Sequence, residues 1–567
     1  MTATAQRFFN LTSDEVSVDS MLPQFSYSVP LEGAFADSVY SSMILYPEFI
    51  DMTQEDIAHY HRLSADSLPA LPRVEQHLVL SRKKGSLEVS FCPLVYREGR
   101  YQILVSFMLR IDSKALPRAK RMAPGTRGTA EASRYADHSV LASGTWAKIR
   151  VPSTGVYQLT ESFVRQAGFS NLSKVKVYGY GGNLQNEKLV GDELRATDDL
   201  HEVPTYAAGN RRLFYARGPV SWENNTATRR TRNPYSDYGY YFLTETDAEP
   251  QMVDSAAFLS SFYPSPDDYH SLYEKDGYSW YPGGRNLFDP DPIHYGKSKE
   301  VVFNNRTGAT SGRLTVSVSA GSNSRATVFF NGKQVGELYV SLGSYDKGNS
   351  ATATYNLAGL TASDTVSVRC VLGDPIRLDY VSMAWDKPAP APSLAAQFAT
   401  PEYVYHITNQ DHHADDAADM IIIIPTSQKL LKQAQRLAAF HEQHDAMRVR
   451  IVPADELFNE FSSGTPDANA YRRYLKMLYD RAETDADVPR YLLLFGDCVW
   501  DNRMLTSECA NLNPDDYLLC FESENSFNEI KCFVDDGFFC LLDGAAIAVQ
   551  YASDALALPD CLIIYIM

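Results

Sequence analysis

Three short apolar segments, separated by two helical ones, constrain the fold of this chain most. DMIIIIPTS begins at Asp419, RVRIVPADELF at Arg448 and RYLLLFGD at Arg490. The unbroken apolar run in DMIIIIPTS is typical of a strand that is covered on both faces of a parallel sheet, and the other two segments supply further strands. The stretches between them repeat apolar residues every three or four positions, which predicts amphipathic helices. The order β-α-β-α-β therefore predicts a doubly wound parallel sheet with right-handed crossovers.

The two helical segments also indicate which side chains face the sheet. In the first, the apolar stripe contains Leu430, Leu431, Ala434, Leu437 and Ala438. In the second, Asp467 is a candidate N-cap, and the inward residues are Tyr471, Tyr474, Leu475 and Leu478.

The rest of the chain reads as β structure, so a multidomain β plus α/β protein is expected. Residues 1–135 form an N-terminal β-rich region that ends in a basic linker, and residues 139–299 form a second β-rich domain. Residues 300–386 contain regularly spaced strands and a hairpin signal at Asn331-Gly332, which predicts a β-sandwich-like domain. A Pro/Ala-rich linker covers 387–416, and the α/β domain covers 417–567.

Composition excludes several classes of protein. The net charge of -18 argues against a nucleic-acid partner, because phosphate binding needs a basic surface. The chain has no apolar run long enough for a transmembrane helix, and its first residues do not form a signal peptide. The eight cysteines show no CxxC pair, which favours disulfides or buried thiols over a metal site.

The end of the third strand is the strongest candidate for a site. Gly496 and Asp497 follow the apolar run directly, and Asp501 comes four positions later. Ligands of doubly wound sheets bind beyond the carboxyl ends of the strands. The alternative is that Asp497 only caps a turn. A nucleotide site is disfavoured because no glycine-rich phosphate loop follows any of the three strands.

Several segments together resemble the gingipain-like cysteine peptidases, and within them the PorU-type sortases of type IX secretion. They are the three strand segments, the stretch FESENSFNEIKCFVDDGFFCLLD from Phe521, and the upstream segments GTWAKIRVPSTGVYQLT, VKVYGYGG, LFYARGPVSW and NPYSDYGYYFLT. The resemblance covers about residues 140–555. It implies that the α/β domain is the first half of a caspase/gingipain-like peptidase domain, with Gly496, Asp497, Asp501 and Asp536 on the active-site rim.

The resemblance also implies a function. Members of this family use a cysteine thiolate as the nucleophile, a histidine that moves the proton, and backbone N–H groups that bind the oxyanion. The sortase subgroup cleaves the C-terminal sorting signals of secreted proteins and joins them to a surface anchor. The expected partners are protein or peptide substrates and other type IX components, and the expected location is the outer-membrane surface.

The chain departs from the family pattern in its last part. No histidine follows His444, and His441 and His444 lie on the helix after the first strand. No cysteine matches the family nucleophile, and the acidic neighbours of Cys498 would raise the pKa of a thiol. Gly537 and Cys540 replace a family acid and a family glycine.

The resemblance therefore assigns no catalytic residue to this chain. In the family, the catalytic histidine and cysteine both follow the segment that corresponds to Asp535–Cys540, so their positions are expected to lie beyond Met567, the last residue. The final segment, SDALALPDCLIIYIM, lacks the strand that the family has there. We therefore expect a frameshift or truncation near residues 555–558, an inactive chain, and an apolar tail from Leu562 to Ile566 that is uncovered and prone to aggregation.

Two further hypotheses concern ligands and function. No cofactor is expected, but a calcium ion could be held by Asp497, Asp501, Asp535 and Asp536, because carboxylate oxygens suit Ca²⁺. The alternative function is a non-catalytic binding scaffold at the cell surface.

Overall fold

The computed structural model describes residues 2–18, 22–31, 38–64, 67–81, 84–115, 134–189, 192–484, 486–542 and 562–565. The described residues up to Ala115 form one compact unit, and those from Arg134 onward form a second. Each unit is described by itself. Within the described ranges, no helix has the length and apolarity that crossing a membrane requires.

The first unit is built from antiparallel strands. One sheet contains Thr2–Asn10, Arg100–Ala115, Ser38–Asp51 and Leu94–Arg97, and the other contains Phe25–Leu31, Lys84–Phe91 and Glu75–Ser81. Helices span Ser13–Val16 and Gln54–Leu63. Inward-facing rings from both sheets, including Phe25, Phe91 and Phe107, form one apolar core. Most of the predicted basic linker, residues 116–133, lies outside the described residues.

The second unit begins with two further β-sheets and a two-stranded hairpin. One sheet has the order Val175–Tyr178, Gly239–Glu245, Trp146–Val151, Glu402–His406, and the other Tyr206–Ala208, Arg211–Ala216, Gly155–Thr160. The hairpin is Val220–Trp222 with Arg230–Arg232. Short helices span Glu161–Gln166, Asp192–Ala196 and Ser255–Ser260. Glu402–His406, inside the range predicted as a linker, is thus an edge strand of the first sheet.

The β-sandwich follows, as predicted, from two four-stranded antiparallel sheets. The strand order in one sheet is His270–Glu274, Ile376–Trp385, Ser311–Ala320, Asn349–Ala358. The order in the other is Ser298–Asn304, Ser363–Leu372, Ser324–Phe330, Lys333–Val340. Asn331 and Gly332 join two of these strands with φ of 49° and 80°, which is the left-handed conformation that an Asn-Gly hairpin requires.

The α/β domain confirms the expected parallel sheet. Its strand order is Val449–Pro453, Met420–Ile424, Tyr491–Leu494, Leu562–Tyr565. Helix Leu431–His444 covers one face through Ala434 and Ala438. The other face, which carries Ile421, Ile423 and Leu492, is covered by helices Ala454–Phe461 and Asn469–Arg481. Helices on both faces explain why the central strands Met420–Ile424 and Tyr491–Leu494 are apolar throughout instead of alternating.

Part of the apolar tail belongs to the parallel sheet. Leu562–Tyr565 pairs in parallel with Tyr491–Leu494, so Leu562 lies opposite Tyr491 and Tyr565 opposite Leu494. Leu562–Tyr565 is therefore an edge strand of the parallel sheet. The expectation that the tail is uncovered and prone to aggregation stays a prediction. The last two residues, Ile566 and Met567, and the expected frameshift region at 555–558 lie outside the described residues.

Candidate active site

The carboxyl end of the third strand meets the end of the first strand. A Cβ atom at Gly496 would lie 2.8 Å from Pro425 Cγ, so only glycine allows this approach. The chain then continues beside residue 518, where Leu518 N–H donates to Asp497 O at 2.9 Å. The turn after the strand is therefore held on two sides.

Asp497 and Asp501 occupy different environments, although both lie beyond the same strand. Asp497 is exposed, and its Oδ1 accepts the N–H of Cys498 at 2.9 Å. Asp501 is 3% exposed. Its carboxylate accepts the backbone N–H groups of Arg503, Leu505 and Thr506 at 3.2, 2.7 and 2.6 Å. Asp497 is thus open to a ligand, whereas Asp501 organises the loop that follows it.

Two thiols lie beside this loop. The side chains of Cys498 and Cys520 hydrogen-bond to each other. The hydrogen bond with Cys498, burial and the nearby Glu522 all raise the pKa of Cys520 well above its ordinary value. Asn502 brackets Cys520, because it donates from Nδ2 to the carbonyl and accepts the N–H at Oδ1, both at 3.0 Å. Cys520 is therefore a protonated, fixed thiol.

Glu522 is a buried acid that the sequence pattern did not single out. It is 1% exposed, and its Oε1 has no hydrogen-bond partner among the described residues. Burial raises its pKa to about 8, with smaller contributions from Cys498 and Asp501, while Gly284 N–H and Arg285 oppose the shift. The position of this acid within FESENS gives no signal of burial, because the residues that cover it come from the β region.

The DDGFFC segment, residues 535–540, packs against Phe521. Gly537–Cys540 is a short 3-10 helix that Asp536 precedes as the N-cap residue. Burial raises the pKa of Asp535, while the N–H groups of Gly537 and Phe538 oppose it. The Phe538 ring stacks on Phe521 with centroids 3.6 Å apart.

The four predicted rim residues are thus only partly brought together. Gly496 and Asp497 lie at the strand end, Asp501 lies beneath it, and Asp536 begins the 3-10 helix. Met567, beyond which the family histidine and cysteine are expected, lies outside the described residues. The expectation that this chain holds no catalytic residue therefore stays a prediction.

The calcium hypothesis finds no support in this geometry. Asp501 already uses its oxygens on backbone N–H groups. Among the residues that the structure describes, no group of three or more His, Cys, Asp or Glu side chains is arranged to hold a metal ion.

The histidines lie elsewhere. His441 and His444 lie in the last turn of the helix after the first strand. His441 Nδ1 donates to Asp445 Oδ2 at 2.7 Å, and His444 Nδ1 donates to Phe440 O at 3.1 Å. This helix runs back toward the amino edge of the sheet, opposite the candidate site. His413 is fully buried, with Nδ1 2.7 Å from Glu460 and Nε2 3.5 Å from Asp198. Burial lowers its pKa, but the two carboxylates outweigh burial and raise the pKa to about 10.

The described cysteines fall into three groups. Cys370, Cys509 and Cys520 are buried, Cys92, Cys498 and Cys532 are half-buried, and none of these six forms a disulfide. Cys540 is disulfide-bonded.

Residues 413–563, which include three strands of this sheet and the start of the fourth, match Peptidase family C25. The chain carries a gingipain-type C25 domain. The crystal structure of dimeric latent PorU from Porphyromonas gingivalis is similar over 78% of this chain, with 25% identity and a TM-score of 0.62. The match covers 50% of that chain, so this protein spans about half of the length of the PorU chain it matches.

A smaller likeness is to a family 35 carbohydrate binding module from an environmental isolate. It covers 22% of this chain and 99% of that one, at 16% identity and a TM-score of 0.17. No curated protein matches the sequence significantly. The resemblance and the fold class predicted from the sequence are both confirmed, and the roles of the individual C25 rim residues stay a prediction.

Proposed function

We propose that this protein is a type IX secretion-linked C25 peptidase of the sortase kind, which recognises the C-terminal sorting signals of exported proteins. The observation that carries the proposal is the extent of the similarity to PorU. It covers 78% of the chain, whereas the C25 match is confined to residues 413–563. The similarity therefore includes the β domains upstream, which a generic C25 peptidase need not share.

The described residues supply the scaffold and rim of such a site. Gly496 turns the chain at the strand end, Asp497 faces solvent there, and Asp501 holds the following loop through three backbone N–H groups. In an acyl-transfer site a rim acid orients a peptide, while the bond is broken by a cysteine and histidine that act together. We infer that Asp497 is the rim group that meets substrate and that Asp501 positions the loop.

We further propose that the 567-residue chain by itself has no thiol-dependent peptidase activity. His444 is the last histidine in its sequence. It lies at the carboxyl end of a helix that runs back to the amino ends of the strands, opposite the candidate site. The thiol of Cys520 is buried and hydrogen-bonded to Cys498, which disfavours a thiolate there. Without a cysteine-histidine pair most of the catalysis is lost.

The activity test uses fluorogenic peptides with the 567-residue chain, with and without iodoacetamide. We expect no turnover above that of a Cys498→Ala control. Turnover that iodoacetamide blocks, and that Cys498→Ala lacks, contradicts the proposed inactivity and assigns the nucleophile to Cys498. Turnover that persists in Cys498→Ala also contradicts it and indicates another thiol.

The assignment to secretion is tested at the gene. Sequencing from codon 540 to several hundred bases beyond the codon of Met567 is expected to find a shifted frame that encodes a family-like GRxP strand, a His-Gly pair and a cysteine. The protein from the joined frame is then expected to cleave a cargo protein before its sorting signal. Unrelated sequence in every frame contradicts the sortase proposal.

A second candidate is the non-catalytic scaffold at the cell surface. The position of His444 favours this scaffold, because the last histidine of the sequence lies on the helix after the first strand. The carboxyl end of the third strand, which carries Asp497, would then offer a binding rim without a histidine base. Binding of a sorting-signal peptide by the 567-residue chain without cleavage, lost in Asp497→Ala, is the result that this candidate predicts. For either candidate we propose the outer-membrane surface as the location, with exported proteins and other type IX components as partners.

A further inference from the structure

A cavity of about 810 Å³ lies in the second unit, between three structural elements. They are the outer face of the sandwich sheet that contains Ser311–Ala320, the Arg230–Arg232 strand, and the C25-domain loop around Asn525. Its volume lies within the roughly 300–1,000 Å³ of small-molecule sites.

A ladder of hydroxyl groups lines one side of the cavity. Side chains alternate between the two faces of a strand, so Thr315 and Ser317 face outward while their neighbours face the sandwich core. Thr315 Oγ1 lies 2.9 Å from Thr354 Oγ1, and Ser317 Oγ lies 2.9 Å from Thr352 Oγ1. Ser317 also donates to Asp379 Oδ2 at 2.9 Å, so Thr352 is the donor within its pair and keeps only acceptor capacity. The Thr315–Thr354 pair keeps one donor and further acceptor capacity, so the ladder still offers both kinds of hydrogen bond to a ligand.

The opposite side is charged, but its charges are compensated. Arg230 pairs with Glu274 and Asp379, and Arg232 pairs with Glu274 and Asp276. The other lining arginines, Arg229, Arg285 and Arg503, are also paired with carboxylates. The described part of this wall therefore has no uncompensated guanidinium that would select a phosphate or another anion. It favours a neutral ligand.

One carboxylate oxygen in this wall lacks a hydrogen-bond partner among the described residues. The Asp276 side chain is 4% exposed, and its Oδ2 receives Arg503 Nη2 at 2.5 Å. Its Oδ1 is buried and has no hydrogen-bond partner among the described residues. A buried acceptor without a donor is costly, so Oδ1 marks a position where a ligand hydroxyl would donate.

From these features we propose that the cavity binds a neutral oligosaccharide. Sugar hydroxyls would donate to Asp276 and exchange hydrogen bonds with the threonine ladder, and the C–H faces of the sugar would lie against Leu287 and Phe527, which also line the cavity. The ladder side chains project from the face of the sheet. The cavity is therefore not built on the row of edge backbone groups that binds an extended peptide.

The test is isothermal titration of the 567-residue chain with maltohexaose, cellohexaose, mannohexaose and chitohexaose. We expect at least one to bind with a Kd between about 10 μM and 1 mM. Thr352→Trp fills the cavity from an exposed strand position and is expected to weaken binding at least about tenfold. Asn356→Trp is the matched control, since it lies on the same strand and the same face but outside the cavity lining.

Three results overturn the proposal. One is the absence of binding by all four sugars at about 5 mM. Another is equal binding by the wild-type protein and a folded Thr352→Trp variant, with folding checked by circular dichroism. The third is binding of an extended decapeptide that Thr352→Trp abolishes while no sugar binds, which assigns the cavity to a peptide. Thr354→Val, which is nearly isosteric, is expected to weaken sugar binding as well and separates a lost hydroxyl from a filled cavity.

Discussion

Asp501→Ala and Asp497→Ala form a matched pair that tests the division of roles at the strand end. Both acids follow the same strand, but only Asp501 is buried, at 3% exposure. Its carboxylate accepts the N–H groups of Leu505 and Thr506 at 2.7 and 2.6 Å and a longer bond from Arg503. Asp497 accepts one local bond and is otherwise exposed.

The expected loss follows from these bonds. A hydrogen bond to a charged group contributes about 1.5–3 kcal/mol, and truncation leaves buried N–H donors without an acceptor. Two short bonds predict that Asp501→Ala lowers the local free energy of opening by about 3–5 kcal/mol. Because Asp497 is exposed, Asp497→Ala is expected to change the same free energy by less than about 0.5 kcal/mol.

Hydrogen exchange read by mass spectrometry on a peptide covering residues 499–508 measures this local free energy. Asp501→Ala is expected to accelerate exchange about a hundredfold or more in that peptide, because each 1.4 kcal/mol is about a factor of ten. Asp497→Ala is expected to leave the rate nearly unchanged, and Asp501→Asn to fall between the two. Equal rates in the two alanine variants would refute the structural role of Asp501.

Three further predictions follow from buried titratable groups. Because burial raises the Glu522 pKa from 4.5 to about 8, stability is lost as pH rises through that interval, so Glu522→Gln is expected to raise the thermal midpoint at pH 8.5 but not at pH 5. The carboxylates beside His413 raise its pKa from 6.5 to about 10, so the charged imidazole stabilises the fold fully below pH 6.5 and loses this effect as pH rises through 10. The thermal midpoint of the wild-type protein is therefore expected to fall more steeply between pH 6.5 and about 10 than that of His413→Gln, and equal slopes would contradict this role. Burial raises the Cys532 pKa from 9.0 to about 11, so iodoacetamide at pH 8 is expected to label it far more slowly in the folded chain than in urea, as peptide mass spectrometry can show.

Much of the α/β domain could be predicted because its signals are local. Each apolar strand run and each helical stripe lies within about twenty residues, and the right-handed crossover rule then leaves few arrangements. The rule on carboxyl ends also places Gly496 and Asp497 at the candidate site without any contact information. The Asn331-Gly332 hairpin is equally local, since two left-handed residues define the turn.

The burial of particular acids and the pairing of distant segments depended on tertiary structure. Nothing in the spacing distinguishes Asp497 from Asp501, and nothing in FESENS indicates that Glu522 is covered by the Gly284-Arg285 loop. Glu402–His406 pairs with Trp146–Val151, and Leu562–Tyr565 pairs with Tyr491–Leu494, across separations that no local pattern encodes. Local periodicity determines which segments become helices and strands, whereas desolvation and strand pairing depend on which remote residues the fold brings within hydrogen-bond distance.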